Sequence, residues 1–321
     1  MKAAAFSLVV LTLNVAGPRR PHQGWPTRRA AIVSRLKAAA ADAAAFQEVW
    51  RGRDLDALAG AAGHEDRAFD EKLGLAVTSR LPIESSASAD LGGGYGALRA
   101  RVRDGKSEFD LYSARLEPGD GDAAARRLGQ LFRLSEFVRA QSSTRPFALM
   151  GDLGAGADER DTGLFLDLLE GRDLCVAHGD EVCGRTRGDS REDYIVIPYS
   201  SRRPRENARA EFTDLLPDED EAAADALRFG LRARLDGSFL RLKPAVSPSG
   251  REEALSAIGD ALSAAAESEI RRAAAAGWIP FYGAFQLAQA QDEAARLTAV
   301  EEEASSARLR GAARELPATP E

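Results

Sequence analysis

Phe6-Ser7-Leu8-Val9-Val10-Leu11-Thr12-Leu13 runs straight into Asn14-Val15-Ala16-Gly17. An apolar run rich in strand formers, closed by a polar residue and small residues, reads as a buried strand entering a loop. A secretory leader is the competing reading, but its positive region would be Lys2 alone, which favours the strand. Taking residues 6–13 as a strand makes the rest of the chain fall into an alternation of strands and helices.

Thr27 is placed to cap a helix with Ile32, Leu36 and Ala40 on one face, as a spacing of four residues allows. A short strand, residues 44–49, and a helix carrying Leu55, Leu58 and Ala59 follow. Strands are then expected at 75–80, 97–103 and 109–116, with Pro82 and Pro118 as stops. A long helix over 123–140 presents Leu128, Leu131, Phe132, Leu134, Phe137 and Val138, and residues 147–150 deliver Gly151-Asp152 to a loop. The last strands are 194–197, 208–213, and a hairpin of 229–235 with 238–242 turned on Asp236-Gly237. This order predicts an α/β protein of the α+β type, with two mixed sheets face to face and helices outside. Residues 1–245 form that domain; 246–321 read as an Ala-, Glu- and Arg-rich helical extension with a frayed acidic end.

Composition narrows the function. With 321 residues, 44% of them hydrophobic, the chain can bury a full core. A formal charge of -7 argues against a general nucleic-acid binder, because phosphate contacts dominate that affinity. Cys175 and Cys183 make neither a disulfide framework nor a zinc site, which points to a reduced compartment and a cytoplasmic protein. No stretch reaches the length of a membrane span. The nearest, residues 273–288, carries Trp278, Phe281, Tyr282 and Phe285 beside Arg271 and Arg272; it reads as a packed helix pair, with peripheral membrane contact as the alternative. Only His22, His64 and His178 are available to any mechanism that needs histidine.

Asn14, Glu48, Asp152 and Asp193 sit at the ends of apolar strands. Singly, each reads as a turn residue or a surface acid. Converging at one edge of a two-sheet sandwich, they would supply the hard oxygen donors that magnesium prefers, and such a centre could polarise a phosphodiester and position water.

The ordered set Leu13-Asn14, Gln47-Glu48-Val49, residues 74–83, residues 111–118, Gly151-Asp152-Leu153-Gly154 and Asp193-Tyr194-Ile195 resembles the endonuclease/exonuclease/phosphatase superfamily. Phe46-Gln47-Glu48-Val49-Trp50, Tyr95-Gly96-Ala97-Leu98 and the helical tail with its apolar patch are most similar to the neutral sphingomyelinase branch. The resemblance implies a four-layer αβ/βα sandwich over residues 5–240 and a Mg2+-dependent phosphodiesterase. It implies metal binding at Asn14 and Glu48, orientation or activation of the nucleophile at Asp152, and a partner for the terminal histidine at Asp193.

Three motifs depart from that pattern. The family's Thr-His-Leu triplet falls on Ala114-Arg115-Leu116, and its terminal Ser-Asp-His falls on Ala226-Leu227-Arg228. The Asn expected two residues after the aspartate is Gly154. A guanidinium stays charged and only donates, so Arg115 and Arg228 cannot act as general acid or base. They would also oppose a metal: at about 4 Å and an effective dielectric of about 20, a unit pair repels by about 4 kcal/mol, and a dication doubles that. An Asp193–Arg228 ion pair is the expected replacement. His64, His178, Asp225, Asp218-Glu219-Asp220-Glu221 and the arginines Arg202, Arg203 and Arg205 do not repair the motif by position.

Three functions therefore stand. The favoured one is a catalytically impaired domain that holds a phosphate ester or phospholipid headgroup through Arg115 and Arg228. The others are an active metal-dependent phosphodiesterase with an altered site, and a non-catalytic interaction scaffold.

Overall fold

A computed structural model describes residues 6–156, 160–169, 171–177, 180–181, 183, 186, 190–198, 208–213, 230–236 and 239–241, apart from 21 and 121. Its first half runs β1 (Ser7–Asn14), α1 (Trp25–Ala39), β2 (Ala43–Gln47), α2 (Gly52–Ala62), β3 (Asp66–Asp70), β4 (Leu75–Ser79), β5 (Ile83–Gly92), β6 (Tyr95–Asp104) and β7 (Ser107–Arg115). The second half runs α3 (Asp122–Ser142), β8 (Phe147–Asp152), α4 (Arg160–Leu169), β9 (Gly171–Asp173), β10 (Val176–Ala177), β11 (Asp180–Glu181), β12 (Asp193–Pro198), β13 (Ala208–Thr213) and β14 (Gly230–Asp236), closed by a 3-10 turn at Phe239–Arg241.

Two six-stranded mixed sheets result, ordered β13-β14-β1-β2-β4-β3 and β5-β6-β7-β8-β12-β9. Strand alternation assigns their faces. Leu8, Val10, Ala43, Ala45, Leu75 and Val77 of the first sheet meet Leu98, Ala100, Val102, Phe109, Leu111, Met150, Ile195 and Ile197 of the second in a central core. The intervening residues Val9, Leu11, Leu13, Ala44 and Phe46 face outward onto Trp25, Ile32, Leu36, Leu55 and Leu58 of α1 and α2. On the far side, Tyr112, Phe147, Leu149 and Val196 face Leu128, Leu131, Phe132, Leu134 and Val138 of α3 and Phe165 of α4. Central strands buried on both faces are why residues 8–13 read as an apolar run broken only by Thr12. The four-layer sandwich stands as expected from the sequence.

Some local expectations are corrected. The first helix begins at Trp25 after Gly24, with Pro26 in its opening turn; Thr27 lies inside the helix because Pro26 already supplies the helical φ. Ala40 is the left-handed C-cap rather than part of the buried face. The expected return strand over 238–242 is not a strand where it is described: Phe239–Arg241 form a 3-10 turn. Instead β14 lies between β13 and β1, antiparallel to both, and Phe239 packs edge-on against Phe109 at 5.9 Å. Cys175 and Cys183 are joined in a disulfide, which removes the basis on which the cysteines pointed to a reduced compartment. The boundary at 245, the helical extension and the patch at 273–288 lie outside the described residues. Among the described residues, no helix is long and apolar enough to cross a membrane.

Candidate functional site

The inner faces change character toward one end of the sandwich. Continuing the alternation, Val10 is followed inward by Thr12 and Asn14, Ala45 by Gln47, and Leu111 by Ser113 and Arg115. Gln47 is fully buried and its Nε2 donates to Ser113 Oγ at 3.0 Å and Thr12 Oγ1 at 3.3 Å. Ser113 Oγ donates in turn to the Phe46 carbonyl at 2.9 Å. This satisfied polar layer separates the apolar core from the residues beyond it. Among these three, Thr12 and Ser113 carry no mark in the motifs, and the period-two pattern is the signal that places all of them on the inner face.

Beyond that layer the sheets bring most of the expected residues together. In the second sheet, Arg115, Asp152 and Asp193 occupy one row across β7, β8 and β12. In the first, Asn14 ends β1 opposite Gln47, and Glu48 follows directly. Asn14 joins the two sheets: its Nδ2 donates to Glu48 Oε1 at 2.9 Å and to Asp152 Oδ2 at 2.7 Å, while its Oδ1 accepts from the Ala16 amide at 2.9 Å. The amide orientation follows from its surroundings, because two carboxylates on one side demand the donor end.

The backbone around these groups is tightly held. Glu48 adopts a left-handed φ of 57°, a conformation that costs a non-glycine residue free energy and recurs at functional sites. Its carbonyl accepts from the Gly17 amide at 3.1 Å, and a Cβ on Gly17 would sit 2.5 Å from that oxygen. Gly154, where the family pattern has Asn, has a φ of +66°, and a Cβ there would lie 2.7 Å from the Glu117 carbonyl. Restoring Asn at 154 would therefore need the loop rebuilt, not a side chain added.

Arg115 fills the space beside Glu48. Its Nη1 lies 3.6 Å from Glu48 Oε1 and its Nη2 donates to the Gly94 carbonyl at 3.3 Å. The guanidinium also stands over Tyr95 at 4.6 Å and Trp50 at 5.4 Å, a cation–π environment. The second expected arginine, Arg228, lies outside the described residues, as do Leu227, Asp225, His178, 202–205 and 218–221. The Asp193–Arg228 pair is therefore not described. The Asp193 backbone is fixed instead by its neighbours: its amide donates to Thr186 Oγ1 at 3.1 Å and its carbonyl accepts from Arg191 Nη1 at 3.1 Å. Arg191 in turn pairs with Asp173 at 2.6 Å, both side chains buried, beside the Cys175–Cys183 disulfide.

The described residues do not fit a divalent cation. Magnesium needs oxygen donors directed at one point, whereas Glu48 and Asp152 are bridged by an amide nitrogen and Glu48 faces a guanidinium. Among the described residues no three His, Cys, Asp or Glu side chains gather in a metal-ligand group.

His64 does not repair the site. It is buried, with Nδ1 2.7 Å from Thr78 Oγ1 and Nε2 3.0 Å from the Ala41 carbonyl. Thr78 lies three residues along β4 from Leu75, which pairs with Gln47, a separation of about 10 Å along the strand that keeps His64 away from the cluster. Burial holds its pKa below the ordinary 6.5, with Arg80 adding to that effect against the Ala41 hydrogen bond and Asp42. The unfolded chain therefore takes up this proton first as pH falls. The contribution of His64 to stability is complete above 6.5 and shrinks as pH drops from there toward the folded-state value. Urea unfolding at stepped pH should show this slope, and His64→Gln should flatten it; an unchanged slope in the variant would contradict the assignment.

Comparison with known proteins matches this architecture. Residues 11–238 fit the family model described as Endonuclease/Exonuclease/phosphatase family. The chain belongs to that family. The catalytic domain of human nocturnin with a bound sulfate anion is similar at 18% identity and a TM-score of 0.58, over 72% of this chain and 94% of that one. Sphingomyelinase C from Streptomyces griseocarneus is similar at 15% identity and a TM-score of 0.55, over 72% and 99%. Staphylococcus aureus beta toxin is similar at 14% identity and a TM-score of 0.54, over 70% and 99%. Identities this low establish the shared fold. No curated protein matched the sequence.

Proposed function

We propose that this family member does not hydrolyse phosphodiesters and instead binds a phosphate ester without a divalent metal, Arg115 being the anion-binding group. The observation that carries this reading is the guanidinium of Arg115 standing 3.6 Å from Glu48, with Asn14 bridging Glu48 to Asp152. An arginine cannot take up or deliver a proton near neutral pH, so the general acid–base step is lost with the histidine. It retains five donors suited to phosphate oxygens, and among the described residues two long contacts, at 3.6 and 3.3 Å, engage them with protein oxygens. The bound sulfate anion in the similar nocturnin domain supports an oxyanion as the ligand class.

The test pairs turnover with binding. Hydrolysis of sphingomyelin, abasic DNA and a generic phosphodiester should stay at background with or without Mg2+. Binding of a phosphate ester should persist in EDTA and disappear in Arg115→Ala. Metal-dependent turnover that Glu48→Ala abolishes would establish the active phosphodiesterase instead. Silence in both assays would leave the scaffold.

A further inference from the structure

Arg228 was the sequence's second phosphate-binding guanidinium; the described residues offer another. Arg19, in the loop after β1, is exposed and stands over Trp50 with its guanidinium carbon 4.0 Å from the ring centroid. Arg115 stands over the same indole at 5.4 Å. Gly94 brings the two together a second time: its carbonyl accepts from Arg115 Nη2 at 3.3 Å, and a Cβ on it would lie 3.7 Å from Arg19 Nη2. Both guanidinium groups therefore border one aromatic ring and one glycine.

This placement is built in. The loop carrying Arg19 is strapped to the strand end carrying Glu48 through the Gly17 amide, and Arg51 Nη2 donates to the Arg19 carbonyl at 3.4 Å. Trp50 is seated on Gly74, where a Cβ would approach its ring to 2.6 Å. The charge is not balanced locally. Arg115 has Glu48, but neither Arg19 nor Arg51 forms an ion pair among the described residues. Two like charges held against one ring repel unless an anion joins them.

We propose that Arg19 is the second guanidinium of the phosphate site. With Arg115 it selects a doubly charged terminal phosphate, a phosphomonoester or the end of a diphosphate, over the singly charged diester. A terminal phosphate carries close to two charges at neutral pH and three acceptor oxygens, enough for both guanidinium groups at once, whereas a diester has one charge and two free oxygens. This rests on the metal-free phosphate-ester reading above and adds the second residue and the ligand's charge state to it.

Calorimetry in EDTA with phenyl phosphate and diphenyl phosphate tests it on the full chain. Wild type should bind the monoester roughly tenfold more tightly than the diester, the scale of one added charge-assisted contact. Arg19→Ala should remove that preference, Arg19→Lys should restore part of it, and Arg115→Ala should lose both ligands; unchanged thermal midpoints would show that the variants fold. Phosphatidylcholine vesicles with and without phosphatidic acid identify the source. Recruitment by phosphatidic acid marks a lipid-borne phosphate, and phenyl phosphate binding without recruitment marks a soluble one; each upholds the proposal. A preference that survives Arg19→Ala, or is absent in wild type while Arg115 still matters, overturns the role of Arg19 and leaves the phosphate-ester reading intact. No binding to wild type overturns both.

Discussion

Asp110→Ala is expected to lower the unfolding free energy by about 3–5 kcal/mol, the range for removing one partner from a buried ionic group. Asp110 is fully buried in β7 and accepts from Arg99 Nη1 at 3.3 Å, Arg101 Nε at 2.9 Å, Arg101 Nη2 at 3.1 Å and Ser142 Oγ at 2.8 Å. Arg99 is itself buried, so it cannot recover its lost partner from water. The bond to Asp110 raises the pKa of Arg101, and burial pushes the Tyr112 hydroxyl up while it contacts Ser142 at 2.6 Å. The network ties β6 and β7 to the end of α3, where Arg101 also donates to the Gln141 carbonyl at 3.0 Å. It lies five residues from Arg115 along β7, about 17 Å at strand rise, so ligand affinity in the protein that remains folded should not change. Urea unfolding measures the loss; a change under about 1 kcal/mol would show that the network is not held as described.

The second large effect belongs to Asn14. Asn14→Leu is close in volume but removes a donor to two carboxylates, and such bonds contribute about 1.5–3 kcal/mol each. A loss of about 3 kcal/mol is expected, together with weaker phosphate-ester binding, because Glu48 and Asp152 would then face each other without the amide between them. Asn14→Asp should be at least as damaging, since it places a third carboxylate in the same cluster. If Asn14→Leu unfolded at the wild-type urea concentration, the bridge between the sheets would contribute nothing measurable.

What the sequence disclosed depended on periodicity. Strands such as β1, β8 and β12 are buried on both faces and therefore read as apolar runs; β1 and β8 end, and β12 begins, on a polar residue of the cluster. That is why Asn14, Glu48, Asp152 and Asp193 were legible, whereas Arg115 was marked only by the resemblance to the family's Thr-His-Leu triplet. The edge strand β5 was not, because Ser85, Ser86 and Ser88 are exposed on it and it follows Pro82; an edge strand need not carry an apolar run. β14 misled because Asp236-Gly237 has hairpin chemistry, while the partners on both of its edges, β1 and β13, are distant or unremarkable in sequence. Helix α4 was missed although Phe165, Leu168 and Leu169 share a buried face. Arg19, Trp50 and Tyr95 lie in loops or at a strand start, where no period marks them; only the three-dimensional approach of Arg19 and Arg115 to one indole gives them a role.

The central claim is that Glu48, facing the Arg115 guanidinium and bridged to Asp152 by Asn14, does not hold a divalent cation. Calorimetric titration of Mn2+ into the wild-type chain tests it directly, with Glu48→Ala as the reference. The account predicts no saturable heat in either protein. Saturable binding to wild type that disappears in Glu48→Ala would contradict it.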